Sequence, residues 1–369
     1  MQILLIVFFA AAAIQLIYFI AFGAAFFRKR VVQETVPLPV SIVVCAHDEE
    51  LNLQTLIPAL LAQDYPDFEV IIVDDRSNDN TFDMLLGETK KDHRLRMVHV
   101  NRTPPHVNGK KYSITLGIKA ARYEWIVLTD ADCRPESNQW LRTMGAEFAP
   151  DKQFVLGYSP YLKQAGFLNL FIRFESLLTA IQYLSFALLG NPYMGVGRNM
   201  AYRRSLFMEA KGFNNLLHIT GGDDDLFVNQ HASKSNTAVS IGEGSRVYSV
   251  PKITWRSFFR QKIRHLSVGK FYRFSHKFLL GLFALSWLVT WFTAIPLLIF
   301  SAGVYGVLWV AGALVVRCLV IALTLHSASK KLGQPFESWA VFLLDFIYAF
   351  YYLVTGLVAL LTRKVRWKN

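Results

Sequence analysis

Two hydrophobic patterns divide this chain. Its ends carry long uncharged apolar runs, whereas its middle carries short apolar runs of strand length between amphipathic stretches. Ile3 to Phe27 holds no charged residue over 25 positions, enough to cross a bilayer core. Phe278 to Val316 holds none over 39 positions, too many for one crossing. Ser301-Ala302-Gly303 offers a turn that divides it into spans near 278–300 and 304–325. Val341 to Leu361 is a further span with Asp345 inside it. An ionisable residue there is either a functional group or a carboxylate near a helix end that reaches water.

In the middle, Val40 to Ala46, Phe68 to Val73, Met97 to Val100 and Trp125 to Leu128 read as strands. Between them, the leucines from Leu51 to Leu61, the segment after Ser77-Asn78-Asp79-Asn80-Thr81, and Lys110 to Arg122 have helical spacing. Alternation of this kind predicts an α/β fold with a parallel, doubly wound sheet. No GxGxxG follows the first strand and no GxxxxGK[ST] occurs, so dinucleotide and P-loop chemistry lack support. Phe167 to Leu189 is apolar but contains Arg173 and Glu175, which predicts a core or interface helix and not a span.

Charge sharpens the membrane reading. Hydrophobic residues make up 53% of the 369 positions, yet the net charge is +12. Lys252 to Lys277 holds eight Lys or Arg residues and no acid, with aromatic residues interleaved. Trp255, Phe259, Ile263 and Leu266 fall on one helical stripe, the pattern of a helix in the headgroup layer. The adjoining spans argue against nucleic acid as the partner of this basic stretch. Met1-Gln2 puts no positive charge ahead of the first apolar run, which predicts a retained anchor and not a cleaved signal. Arg28-Lys29-Arg30 then lies inside. Three later spans put the basic tail Arg363-Lys364-Val365-Arg366-Trp367-Lys368 outside, against the positive-inside rule. Either the last segment stops short of crossing or the count is off by one.

Cys45, Cys133 and Cys318 form no CxxC pair, so neither a disulfide framework nor a zinc site is readable, as befits a reducing compartment. The expected organisation is an anchor (1–30), a cytoplasmic catalytic domain (38–250), basic interfacial helices (251–277), and spans with a basic tail (278–369).

The candidate chemistry lies at strand ends. Asp74 and Asp75 close the second strand, and Asp130-Ala131-Asp132 closes the fourth. Carboxylates there face the crevice where open α/β sheets bind ligands. Two Asp at i and i+2 in extended chain point the same way, which suits a divalent cation holding a diphosphate. Asp223-Asp224-Asp225 places three carboxylates side by side, so mutual repulsion raises at least one pKa and favours a general base. These acids also start an apolar helix and can cap it.

Cys45-Ala46-His47-Asp48-Glu49-Glu50, Val73-Asp74-Asp75-Arg76-Ser77-Asn78-Asp79, Thr129-Asp130-Ala131-Asp132, Gly221-Gly222-Asp223-Asp224-Asp225 and Gln261-Lys262-Ile263-Arg264-His265 occur in this order. Together they resemble family 2 glycosyltransferases of the GT-A fold. The nearest branch is membrane-embedded, similar to ceramide glucosyltransferase and to poly-N-acetylglucosamine and hyaluronan synthases. The resemblance implies that Asp48 and Asp75 bind uracil and ribose of a sugar nucleotide; Asp48 could equally cap the following helix. It implies that Asp132 binds Mg²⁺ or Mn²⁺ and that Asp130 contacts sugar or ribose. Lys110 and Lys111, at a helix start after Asn108-Gly109, could face phosphate or equally be ordinary solvated lysines. Laid on Gly222-Asp223-Asp224, the family pattern makes Asp224 the base; shifted onto Asp225-Leu226, it makes Asp223 the base. Gln261, Arg264 and His265 match the QxxRW motif, with His265 in place of Trp, which puts acceptor stacking and processive growth in doubt. Gly195-Val196-Gly197-Arg198-Asn199-Met200 matches a small-residue loop near the acceptor.

The implied activity is inverting transfer from a nucleotide sugar, UDP-linked, to a lipid or membrane-delivered glycan at a bacterial inner membrane. The alternatives are a polyprenyl-phosphate sugar synthase and a non-catalytic nucleotide sensor.

Overall fold

A computed structural model describes residues 1–27, 36–104, 107–217, 219–300 and 304–361. Arg28-Lys29-Arg30, the turn at Ser301-Ala302-Gly303 and the basic tail lie outside the described residues. The chain opens on α1 (Gln2–Phe27) and then enters β1 (Val40–Ala46), α2 (Glu50–Leu61), β2 (Phe68–Asp75), α3 (Thr81–Glu88), β3 (Leu95–Val100), α4 (Gly109–Ala120) and β4 (Trp125–Asp130). Next come β5 (Cys133–Pro135), α5 (Trp140–Gly145), β6 (Phe154–Leu156), α6 (Phe167–Leu188), β7 (Met200–Arg203) and α7 (Arg204–Glu209). After α8 (Asp225–His231), β8 (Thr237–Val239) and β9 (Val247–Ser249), the chain ends on α9 (Trp255–Val268), α10 (Phe274–Phe300), α11 (Val304–Lys331) and α12 (Val341–Leu361).

Two compact units result. One holds the described residues of 30–164 and 186–251, and the other those of 1–29, 165–185 and 252–365. The first is built on a seven-stranded sheet ordered β3-β2-β1-β4-β7-β6-β8. Strands β1 to β4 pair in parallel, so the carboxyl ends of β1, β2 and β4 lie along one edge. Beyond β4 the sheet is mixed: β7 runs antiparallel to both β4 and β6, and β6 pairs in parallel with β8. The doubly wound pattern therefore describes only the first half. β5 and β9 form a separate two-stranded ribbon.

The strand residues are apolar on both sides because both faces are covered. Val40, Ile42, Val44 and Ile72 join Leu53, Leu56 and Leu60 of α2 and Trp140 of α5 in one buried cluster. α4 packs close on the sheet through Gly117. A Cβ there would stand 2.5 Å from Val43 Cγ1 and 2.9 Å from Val73 Cγ2. Only glycine permits that approach.

The second unit is helical. Four of its helices, from Gln2–Phe27, Phe274–Phe300, Tyr305–Lys331 and Ser338–Ala359, are long and apolar enough to cross a membrane. α1 and α10 run antiparallel: Tyr18 Oη donates to Leu279 O at 2.8 Å, and Phe8 packs with Leu297. α1 and α11 run parallel, because Thr324 bonds Phe19 O and the Lys331 ammonium reaches Phe26 O. The last turns of α1 and α11 thus share one end.

Asp345 does not reach water. Fully buried on α12, its Oδ2 accepts from Arg317 Nη1 of α11 at 2.6 Å and from Trp291 Nε1 of α10 at 2.9 Å. Arg317 Nη2 donates to Gln15 Oε1 of α1 at 3.3 Å, and Gln15 Nε2 donates to Ser286 Oγ of α10 at 2.7 Å. One polar knot therefore draws on all four long helices.

α6 is no span. Its Arg173 pairs with Glu337 at 3.0 Å, and its Glu175 pairs with Lys262 of α9. Both α6 charges are buried and matched. On α9, Phe258 and Lys262 are buried, while Trp255 and Leu266 of the expected stripe are exposed.

Candidate active site

The site starts where parallel strands end. Cys45 of β1 is in register with Asp130 of β4 on one side and Val73 of β2 on the other. Its thiol is pushed well up by burial; Lys110 opposes that rise, and Asp130, Asp223 and Asp75 add to it. Cys45 is therefore a neutral floor among the expected site residues. Their acidic spacing conceals that role, because a cysteine inside an apolar strand carries no signal of what lies above it.

Asp130 is the last residue of β4, and Asp132 follows in a turn. Strand alternation therefore does not explain their convergence. The turn brings a carboxylate oxygen of each, together with the Cys133 sulfur, within 4.8 Å of one another. The Cys133 thiol is held far above its ordinary range by burial, then by Asp132 and Asp130, so it stays protonated. It donates to Asp132 Oδ1 at 3.5 Å. What the trio offers a cation is hard carboxylate oxygen, which fits Mg²⁺ or Mn²⁺ and not a soft thiolate site.

Lys110 ties the two acidic regions together. Its Nζ lies 3.0 Å from Asp130 Oδ1 and 3.4 Å from Asp223 Oδ2. Burial would lower its pKa, but Asp130, Asp223 and Asp224 outweigh it and hold the ammonium well above the usual lysine range. The α4 start that carries Lys110 is capped by Asn108, whose side chain accepts from Lys111 N at 3.3 Å. Gly109 sits so close to Asp75 that a Cβ would meet its Oδ2 at 3.1 Å.

Lys111 has a different station. It is fully buried, and its Nζ donates to Leu216 O and Ile219 O at 2.6 and 2.7 Å. Burial depresses its pKa to about 8 against the pull of Asp223 and Asp224. These two bonds to backbone fasten the turn leading to Asp223, so the expectation that Lys111 faces phosphate does not fit its position.

Asp224 is the N-cap of α8, and Asp225 N donates to its Oδ1 at 2.8 Å. Gly197 N donates to its Oδ2 at 2.8 Å. The Gly195–Met200 loop thus meets the acidic triplet directly, and a Cβ on Gly197 would stand 3.3 Å from that oxygen. Burial raises the Asp224 pKa, with Asp223 adding to the rise, while Lys110 and the two N–H donors restrain it. Capping and a raised pKa coexist in one side chain.

Asp48 does not cap α2: Glu49 occupies the N-cap and makes no side-chain cap bond. Asp48 has a positive φ of 55° and accepts instead from Asn78 N at 2.6 Å. Its neighbour His47 reaches Asp75 O at 2.6 Å, and Asp75 itself pairs with Arg76 Nε at 2.8 Å. Asp74, fully buried, is spent on Ser77 N and His99. Asp48, Asp75, Lys110, Asp130, Asp132, Asp223 and Asp224 all belong to the sheet unit. Gln261, Arg264 and His265 stand on α9 in the helical unit, with His265 exposed and 3.5 Å from Arg264 Nη2.

Residues 41–210 match the family model "Glycosyl transferase family 2". This segment is a family 2 glycosyltransferase domain. Over 95 residues the chain is 35% identical to a poly-beta-1,6-N-acetyl-D-glucosamine synthase of Staphylococcus epidermidis, covering 25% of this chain and 21% of that one. It is 29% identical over 93 residues to the glycosyltransferase GlyG of Streptococcus pneumoniae, covering 25% and 30%. The chain thus spans about a fifth to a third of the length of these relatives. A mannosyltransferase of Pyrobaculum calidifontis, solved with GDP-Man and Mn²⁺, superposes with a TM-score of 0.60 at 15% identity, covering 98% of this chain and 99% of that one. That likeness extends beyond the glycosyltransferase domain to the flanking helices and, with the family match, identifies the fold as GT-A.

Proposed function

We propose that this chain is a membrane-bound inverting glycosyltransferase that moves a sugar from a nucleotide sugar, UDP-linked, to an acceptor hydroxyl on a lipid or membrane-delivered glycan. The observation that carries this reading is the Lys110 bridge, which sets the strand-end pair Asp130 and Asp132 beside Asp223 and Asp224 in one constellation. Asp48 and Asp75 hold the base and ribose. Asp132, with Asp130 beside it, would hold Mg²⁺ or Mn²⁺, which when bound would neutralise charge on the departing diphosphate. Asp224 takes the proton from the acceptor hydroxyl as its oxygen bonds to the anomeric carbon. The bond from that carbon to the diphosphate breaks, and its electron pair leaves with the nucleoside diphosphate. Lys110 stands close enough to share the charge that develops there.

The raised pKa of Asp224 suits a carboxylate that must accept a proton, and this favours a hydroxyl acceptor over one that is already an anion. The shared end of α1 and α11 carries Lys330 and Lys331, and Arg28-Lys29-Arg30 follows α1 in sequence. By the positive-inside rule that end is cytoplasmic, which supports a cytoplasmic catalytic domain (38–250) and an inner-leaflet α9.

The test is mass spectrometry of lipid extracts incubated with purified protein, Mn²⁺ and a panel of UDP- and GDP-sugars. Sugar-bearing lipid from one donor is expected. Donor hydrolysis without a glycosylated product, or no donor consumption at all, overturns the reading. A phosphate-linked lipid product that persists in Asp224→Asn assigns the chain to polyprenyl-phosphate sugar synthesis instead.

A further inference from the structure

Arg198 follows Gly197 in the chain, so its Cα lies about 3.8 Å from the residue whose N–H holds Asp224. Its side chain reaches toward the other acidic pair. The guanidinium sits 4.7 Å over the Tyr161 ring, and its Nη2 reaches Ser159 O at 3.4 Å. Tyr161 bridges to Ser249 of β9, and Ser249 is paired with Cys133, the residue after Asp132. Asp130 and Asp132 are near enough, with Tyr161 and Cys133, to outweigh the effect of burial and keep the guanidinium charged.

The loop is pinned by its next residue. Asn199 is fully buried, donating to Tyr158 O and Ser245 O at 2.7 and 2.8 Å and accepting from Trp140 Nε1 at 2.9 Å. Among the described residues, Arg198 makes one long hydrogen bond, one ring contact and no ion pair. A guanidinium has five N–H donors in a fixed fork. Lys110, by contrast, already lies against Asp130 and Asp223. The cation with donors to spare therefore belongs to the loop that holds Asp224 and has Asp130 and Asp132 within its electrostatic reach.

We propose that Arg198 grips the sugar-bearing phosphate of the donor, accepting the negative charge as the glycosidic bond breaks. This rests on the nucleotide-sugar reading above. A fork of parallel N–H donors matches phosphate oxygens, and a charged hydrogen bond of that kind is among the stronger ones a protein makes. The ring of Tyr161 holds the fork in place while using none of its N–H groups.

Titration calorimetry on the full chain in detergent with Mn²⁺ tests this, using UDP against UMP and GDP against GMP. UDP and GDP carry the phosphate in question, whereas UMP and GMP lack it. Wild type is expected to prefer one diphosphate over its monophosphate. Arg198→Met should weaken that diphosphate by about tenfold or more and leave the monophosphate unchanged. Arg198→Lys, which keeps the charge without the fork, should fall between. If Arg198→Met binds the diphosphate within about twofold of wild type, the inference fails. Equal losses for diphosphate and monophosphate also overturn it, because they mark a residue that only props the loop. A wild type that binds neither diphosphate sinks the nucleotide-sugar reading, and this inference with it.

Discussion

The molecule buries charge in two places and handles it differently. In the helical unit, Arg317 and Asp345 are both fully buried and matched one to one, with Trp291 donating to the same Asp345 oxygen and Gln15 accepting from the second guanidinium nitrogen. In the sheet unit, Lys110 faces Asp130, Asp223 and Asp224, with Asp132 beside them, so acid exceeds base. The Lys110 side chain keeps 20% exposure and that of Asp130 keeps 30%. A sealed pair of opposite charges calls for no counter-ion. An open cluster with surplus negative charge is completed by cations or protons, which is the property a diphosphate-binding, proton-accepting site requires.

Substitutions can break this contrast, and the largest effect belongs to the open cluster. Asp224→Asn keeps the side-chain shape and the cap of α8, gives up the bond from Gly197 N and removes the proton acceptor. Transfer should fall by about 10²-fold or more, while nucleotide binding by calorimetry stays within about twofold. The sealed pair should respond in stability. Either Arg317→Ala or Asp345→Ala strands a buried charge, at a cost of about 3–5 kcal/mol, read as lost folded protein in detergent. The double variant Arg317→Met/Asp345→Leu should recover most of that yield. If the double is as poor as the singles, the pair does more than neutralise itself.

A subtler change separates the cations. Lys110 lowers the Asp224 pKa, so Lys110→Met should raise it further. A base must be ionised to act, so the acidic limb of the pH–rate profile should move to higher pH in that variant. Lys111 should act on stability alone, and weakly. Its folded pKa of about 8 lies below the unfolded lysine value near 10.4, so the unfolded chain binds more protons between these values. Relative to Lys111→Met, wild type should therefore gain stability as pH rises through that window, with transfer rates little changed.

How much of this was legible follows from distance along the chain. β1, β2 and β4 are largely apolar runs, the latter two ending in acids, and each was readable to within a few residues. β6, β8 and β9 are three residues each and owe their form to their partners, so no periodicity announces them. The antiparallel entry of β7 was hidden for the same reason. Asp345 was visible as an anomaly, but its partner Arg317 lies 28 residues earlier and reads in isolation as the end of an apolar run. Gly197 meets Asp224 across 27 residues, a contact that local spacing cannot encode. Lys110 and Lys111 look alike in sequence, and only the helical rotation between neighbours sends one to the acids and the other to the backbone.

That rotation has a practical outcome for building chimaeras. The first turn of α4 supplies both a charge for the cluster and, one residue later, the anchor of the Leu216–Ile219 turn. A donor graft covering the acidic triplet but leaving the host helix start behind would keep its acids and lose their mooring. Swaps between related enzymes should therefore move these two sequence-distant segments as a single cassette.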